Sequence, residues 1–124
     1  MRPPTDQEFE KLVSDSLDRL PKRYLESLKN IAIVIADEPS PEQKKALKLR
    51  CDQTLFGLYE GVPLTRRGNT LGILPPDKIT IFKLPISAYS SNEAQLKDQV
   101  ARTVWHEVAH YYGLNHEQIH KLEN

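Results

Sequence analysis

Cysteine is almost missing from this sequence: of 124 residues only Cys51 carries a thiol, so no internal disulfide can form. A chain of this length can bury a core of its own and needs no disulfide scaffold. An excess of charge of one sign is missing too. The 17 basic and 17 acidic residues leave a formal net charge of +0, which argues against a nucleic-acid or anionic-membrane partner. Long hydrophobic runs are absent. The longest near the middle, Ile31 to Ala36, is six residues, far short of the roughly 20 that a bilayer span needs. Met1-Arg2-Pro3-Pro4-Thr5-Asp6 has no apolar segment of signal-peptide length behind it. There is no glycine-rich phosphate loop, and aromatic and basic residues do not interleave as in single-strand binders. There are no repeats and no low-complexity segment. The expectation is one cytoplasmic domain over residues 1–124.

What is present reads as alternating elements. Thr5 or Asp6 can cap a helix whose apolar residues Phe9, Leu12, Val13, Leu17 and Leu20 recur at helical spacing. Pro21 stops it or kinks it, and a short turn holds Tyr24, Leu25 and Leu28. Ile31 to Ala36 reads as a strand buried on both faces and central in a sheet. Pro41 to Arg50 suits a short helix with Pro41 in its first turn. Leu55 to Leu64 suits a strand entering a turn, Arg66-Arg67-Gly68-Asn69 a polar loop, and Pro75-Pro76-Asp77 a break. Ile79 to Leu84 reads as a strand near a sheet edge, guarded by Lys83 and Pro85. A last helix runs from about Ser91, as cap, to Tyr112. Its buried face is Leu96, Val100, Val104, Val108 and Tyr111, and Gly113 is placed to end it. The pattern is α+β, a small sheet packed against one long helix.

The chemistry is concentrated in His106-Glu107-Val108-Ala109-His110-Tyr111-Tyr112-Gly113-Leu114-Asn115-His116, which holds three of the four histidines. His106 and His110 lie four apart on a helix, so their imidazoles project from one face, one turn apart. Placed so, they can share one zinc ion, with Glu107 beside them in reach of a water on it. A helix that simply continued could not supply a third ligand. Gly113 tolerates φ > 0, so the chain can turn there and bring His116 back, leaving a fourth position for water. His120 reads as a surface group or one standing behind a ligand, with replacement of His116 as the alternative.

His106-Glu107-xx-His110-xx-Gly113-xx-His116 resembles the metal-binding motif of the metzincin clan of zinc metallopeptidases. The whole chain is similar to the small bacterial zincin-like metallopeptidases, or minimal metzincins. The likeness takes in Leu20-Pro21, Ile31 to Ala36, Gly57-Leu58-Tyr59-x-Gly61-x-Pro63-Leu64 and Pro76-Asp77-x-Ile79. The resemblance implies a zincin-like α+β fold with a small mixed sheet, and Zn2+ as cofactor on His106, His110 and His116. It implies Glu107 as general base toward a zinc-activated water, Gly113 as the turn residue, and a peptide or protein substrate. Larger metzincins place a methionine turn after the third histidine. Here the only methionine is Met1 and eight residues follow His116, so the floor of the site is expected from elsewhere, such as the N-terminal helix.

Other residues are weighed against plainer roles. Cys51 reads as packing and Arg66-Arg67 as solvated loop charge. Tyr111 reads as core. Tyr112 could donate to a developing oxyanion or stand behind a ligand. Asp77, Glu60 or Asp98 could orient a histidine through its second nitrogen. In hydrolysis an extended peptide would lie antiparallel to an edge strand. Two other classes stay open: a metal-dependent hydrolase acting on RNA, and a non-catalytic interaction module stabilised by metal.

Overall fold

Thr5 starts the first helix because its hydroxyl accepts from the Glu8 N–H at 3.1 Å while the Glu8 carboxylate accepts from the Thr5 N–H at 3.0 Å. This reciprocal cap satisfies two otherwise orphaned donors. The bond from the Thr5 N–H is the main cause that holds the Glu8 carboxyl below its ordinary pKa. A computed structural model gives the fold. It describes residues 2–26, 28, 31–50, 56–61 and 77–114, with the side chains of 46–50 not among them.

Helix α1 spans Asp6–Asp18 and buries Phe9, Val13 and Ser16. It ends with Arg19 as its C-cap, two residues before Pro21, so the proline stops it as read. Pro21 in turn precedes a four-residue helix, α2, at Lys22–Leu25. Strand β1 is Ile31–Ala36 and helix α3 is Pro41–Arg50. Ser40 caps α3, its hydroxyl accepting from the Gln43 N–H at 3.1 Å and its own N–H donating to Gln43 Oε1 at 2.9 Å. Strand β2 is Gly57–Glu60 and β3 is Asp77–Phe82. A helix not foreseen in the sequence, α4, follows at Lys83–Ala88, and the long helix α5 spans Glu93–Tyr111. Among the described residues, no helix is long and apolar enough to cross a membrane.

The described strands form one mixed sheet in the order β1-β3-β2. β1 runs parallel to β3, with Ile31 opposite Asp77 and Ala36 opposite Phe82. β2 runs antiparallel to β3, with Gly57 opposite Ile81 and Tyr59 opposite Ile79. Two expectations are corrected. β3, not β1, is central, and β1 is an outer strand whose Val34 is 38% exposed. Lys83 and Pro85 do not guard an edge. They open α4, where proline's fixed φ suits a first turn and its missing N–H costs nothing. Lys83 instead reaches Asp6 at 2.5 Å and Asp37 at 3.6 Å, tying the starts of α1 and α4 to the end of β1. The Asp6 bond is the main cause of the raised Lys83 pKa.

The core lies between the sheet and α5. Ile79, Ile81 and Tyr59 of the sheet meet Leu96, Val100, Val104, Val108 and Tyr111 of α5, with Phe9 and Val13 of α1 in the same cluster. All five apolar residues foreseen on the buried face of α5 are buried.

Candidate metal centre

Asn92, not Ser91, caps α5. Its side-chain oxygen accepts from the Gln95 N–H at 2.8 Å, and the Ser91 N–H donates to Gln95 Oε1 at 2.5 Å. At the other end Gly113 has φ 77°, a conformation that glycine adopts without a Cβ penalty. The Gly113 N–H donates to the His110 carbonyl at 2.9 Å and the Leu114 N–H to the Ala109 carbonyl at 3.0 Å. These two bonds are the Schellman pattern, so α5 closes at the position the sequence assigned to the turn.

Between these caps, His106, Glu107 and His110 each present a ligand atom, all within 4.8 Å of one another. The two imidazole rings are 4.5 Å apart between centroids. His106 and His110 are half-buried and Glu107 is 2% exposed. His110 Nδ1 lies 3.3 Å from Glu107 Oε1. Two imidazoles and a carboxylate at this separation are a donor set that suits zinc. The group could bind a metal.

Gly57 sets how closely the sheet approaches this group. A Cβ there would lie 2.7 Å from Thr103 Cγ2 and 3.2 Å from Glu107 Cγ. The lack of a side chain at Gly57 therefore lets α5 settle onto β2 with Glu107 pressed against the strand. At Gly61, with φ 153°, a Cβ would meet Asp77 Oδ1. That carboxylate accepts from the Tyr59 hydroxyl at 2.7 Å in the interior.

A cleft of about 370 Å3 opens beside the group, lined by Phe56, Gln95, Asp98, Gln99, Arg102, Thr103, His106 and Glu107. Gln95, Gln99 and Arg102 were missed in the sequence, where polar residues on a helix read as a solvated face. Their spacing of four, seven and eleven residues before His106 is the signal that puts them on its face.

The remaining candidates fall apart. The Tyr112 hydroxyl, read in the sequence as a candidate oxyanion donor or a group behind a ligand, donates to the Tyr24 carbonyl at 2.6 Å. Two residues past His110 is roughly 200° around a helix, so Tyr112 faces α2 instead. Its ring packs edge-on against Tyr24. Tyr111 is core. Glu60 accepts from Gln43 Nε2 at 3.0 Å, and Asp98 lies 3.2 Å from Arg102 Nε. His116, His120, Cys51 and Arg66-Arg67 lie outside the described residues, as do Leu55, Val62 to Leu64 and the Pro75-Pro76 break.

The family model described as zincin-like metallopeptidase matches residues 28–124. The chain belongs to the zincin-like metallopeptidase family. No curated protein matches it at a significant level. The match takes in the sheet, α4 and α5, and begins after α1 and α2. The α+β expectation, a small mixed sheet with a long C-terminal helix, agrees with family and fold alike. Membership in a zincin-like family puts the chain in the peptidase class of hydrolases, with peptides or proteins as the substrate class.

Proposed function

We propose that the 124 residues form one zincin-like metallopeptidase domain that hydrolyses peptide bonds, with zinc held by His106, His110 and His116 and with Glu107 as general base. The observation that carries this reading is the His106–Glu107–His110 group, with a buried carboxylate between two half-buried imidazoles and a cleft at its side. Phe9 and Val13 lie outside the matched segment yet share the core with α5, which supports a single domain.

Zinc at this position would supply Lewis-acid polarisation of the scissile carbonyl and a lowered pKa for the attacking water. The chain's own groups do the rest. Glu107 takes the proton from the water as it attacks and passes it to the leaving nitrogen. Its seat against Gly57 holds the carboxylate in place, so little ordering is left for the transition state. Phe56 lines the cleft and directly precedes β2, an outer strand of the described sheet. An extended peptide in the cleft would run beside that strand.

A zinc titration followed by turnover on a diverse peptide library, with structured RNA as a parallel substrate, tests the reading. The expected result is one zinc per chain and cleavage of peptides alone. Cleavage of RNA alone would replace the peptidase with a ribonuclease, and bound zinc without turnover on either would leave an interaction module.

A further inference from the structure

The cleft beside His106 carries groups that proton transfer does not need. Arg102 lies one helical turn before His106 and is the only Lys or Arg among the described residues lining the cleft. Its side chain is 73% exposed, and its Nε lies 3.2 Å from Asp98 Oδ2. That contact occupies one edge of the guanidinium. A guanidinium presents five N–H donors in a rigid fork, so the two terminal nitrogens remain for a second, bidentate acceptor. Asp98 thus pairs with the Nε edge of Arg102 without using up its donors.

Phe56 contributes the aromatic surface of the cleft, and Tyr89, 69% exposed, packs on Phe56 with ring centroids 5.7 Å apart. Gln99 Nε2 donates to the Tyr89 carbonyl at 2.9 Å, so a residue of the cleft fastens this aromatic pair to α5. A half-buried Phe56 and a guanidinium that line the same cleft as His106 and Glu107, with the exposed Tyr89 packed on Phe56, match a ligand with an apolar side chain and a carboxylate.

We infer that Arg102 is a specificity-determining residue, binding a carboxylate of the peptide substrate while an apolar side chain of that peptide lies on Phe56 and Tyr89. The inference rests on the peptidase reading above. Asp98 acts through Arg102 as a positioning residue. The carboxylate can be an Asp or Glu side chain or the free end of the peptide, since both offer the same planar pair of oxygens.

The test uses the zinc-loaded full chain and four peptides that share one Phe. The first carries an internal Glu and an amidated end, the second a free C-terminal carboxylate and no acid. The third is neutral and the fourth carries Lys. The wild type should cleave one of the first two at least about tenfold more efficiently than the neutral peptide, as expected for a charge-assisted hydrogen bond. Which of the two it prefers identifies the source of the carboxylate. Arg102→Gln should erase the preference through KM, with zinc content and Tm unchanged. Arg102→Glu should favour the Lys peptide. Binding of the same peptides to the Glu107→Gln protein, read by fluorescence anisotropy, gives a second readout that needs no turnover. Cleavage with the same ranking in wild type and Arg102→Gln would overturn the inference and leave the peptidase standing. Arg102-dependent binding without any cleavage would keep the carboxylate site and overturn the peptidase. Neither binding nor cleavage would overturn both.

Discussion

Two faces of α5 stand in contrast. One carries Leu96, Val100, Val104, Val108 and Tyr111, all buried against the sheet and α1. The other carries Gln95, Gln99, Arg102 and His106, which line the cleft, with His110 beyond them. Glu107 sits at the border, as buried as the core yet 3.3 Å from the His110 ring. The apolar face sets where the helix lies, and the polar face inherits that position without contributing much to it. A site built on a rigid, well-packed element is held more precisely than one built on a loop.

This contrast breaks if the two faces do not separate in their effects. Leu96→Ala should lower stability by about 2–5 kcal/mol, the usual cost of emptying a core leucine site, and leave zinc stoichiometry intact. His106→Ala should do the reverse. Without metal its stability should stay within about 1 kcal/mol of wild type, while zinc affinity falls by about two orders of magnitude or more. Denaturant melts in chelator and a zinc titration decide the matter. Equal stability losses in the two variants would mean that the polar face also holds the fold.

Gly57 sharpens the comparison, because it touches the border. Gly57→Ala should cost about 1–3 kcal/mol by overpacking against Thr103 and Glu107 and should lower turnover as the strand pushes Glu107 aside. Adding Thr103→Ser removes the methyl that lies 2.7 Å from the new Cβ and should restore part of both losses. Strict additivity in the double variant would show that the close approach is not what matters.

A smaller effect belongs to the helix end. Gly113→Ala places a Cβ at φ 77° and should cost about 1–2 kcal/mol, with Gly113→Asn costing less because asparagine tolerates that conformation. Urea melts of the three proteins check the order, and a neutral alanine would remove the argument for a left-handed turn here.

The buried face of α5 and its two histidines were legible in the sequence because a spacing of three and four survives any tertiary context. The buried five and the His106–His110 pair follow from it, and Gly113 ends the helix as read. The sheet was less legible. Ile31 to Ala36 is six apolar residues in a row, which speaks of burial but not of position. In the fold Val34 is partly exposed and β3 takes the centre. Lys83 and Pro85 carry two meanings, edge guard or helix start, and only the packing of Lys83 against Asp6 and Asp37 selects the second. The cleft was illegible for another reason. Gln95, Gln99 and Arg102 are ordinary surface residues until Phe56 and Tyr89 are brought beside them from elsewhere in the chain.

The most direct measurement compares the zinc-loaded wild type with Glu107→Gln for zinc content, Tm and peptide turnover. Glutamine keeps the size of the side chain and much of its packing against Gly57 but cannot take a proton. The account predicts equal zinc content, a similar Tm and turnover lower by about 10²–10⁴-fold, the usual contribution of a general base. Undiminished peptide turnover in the glutamine protein, with zinc still bound, would contradict it.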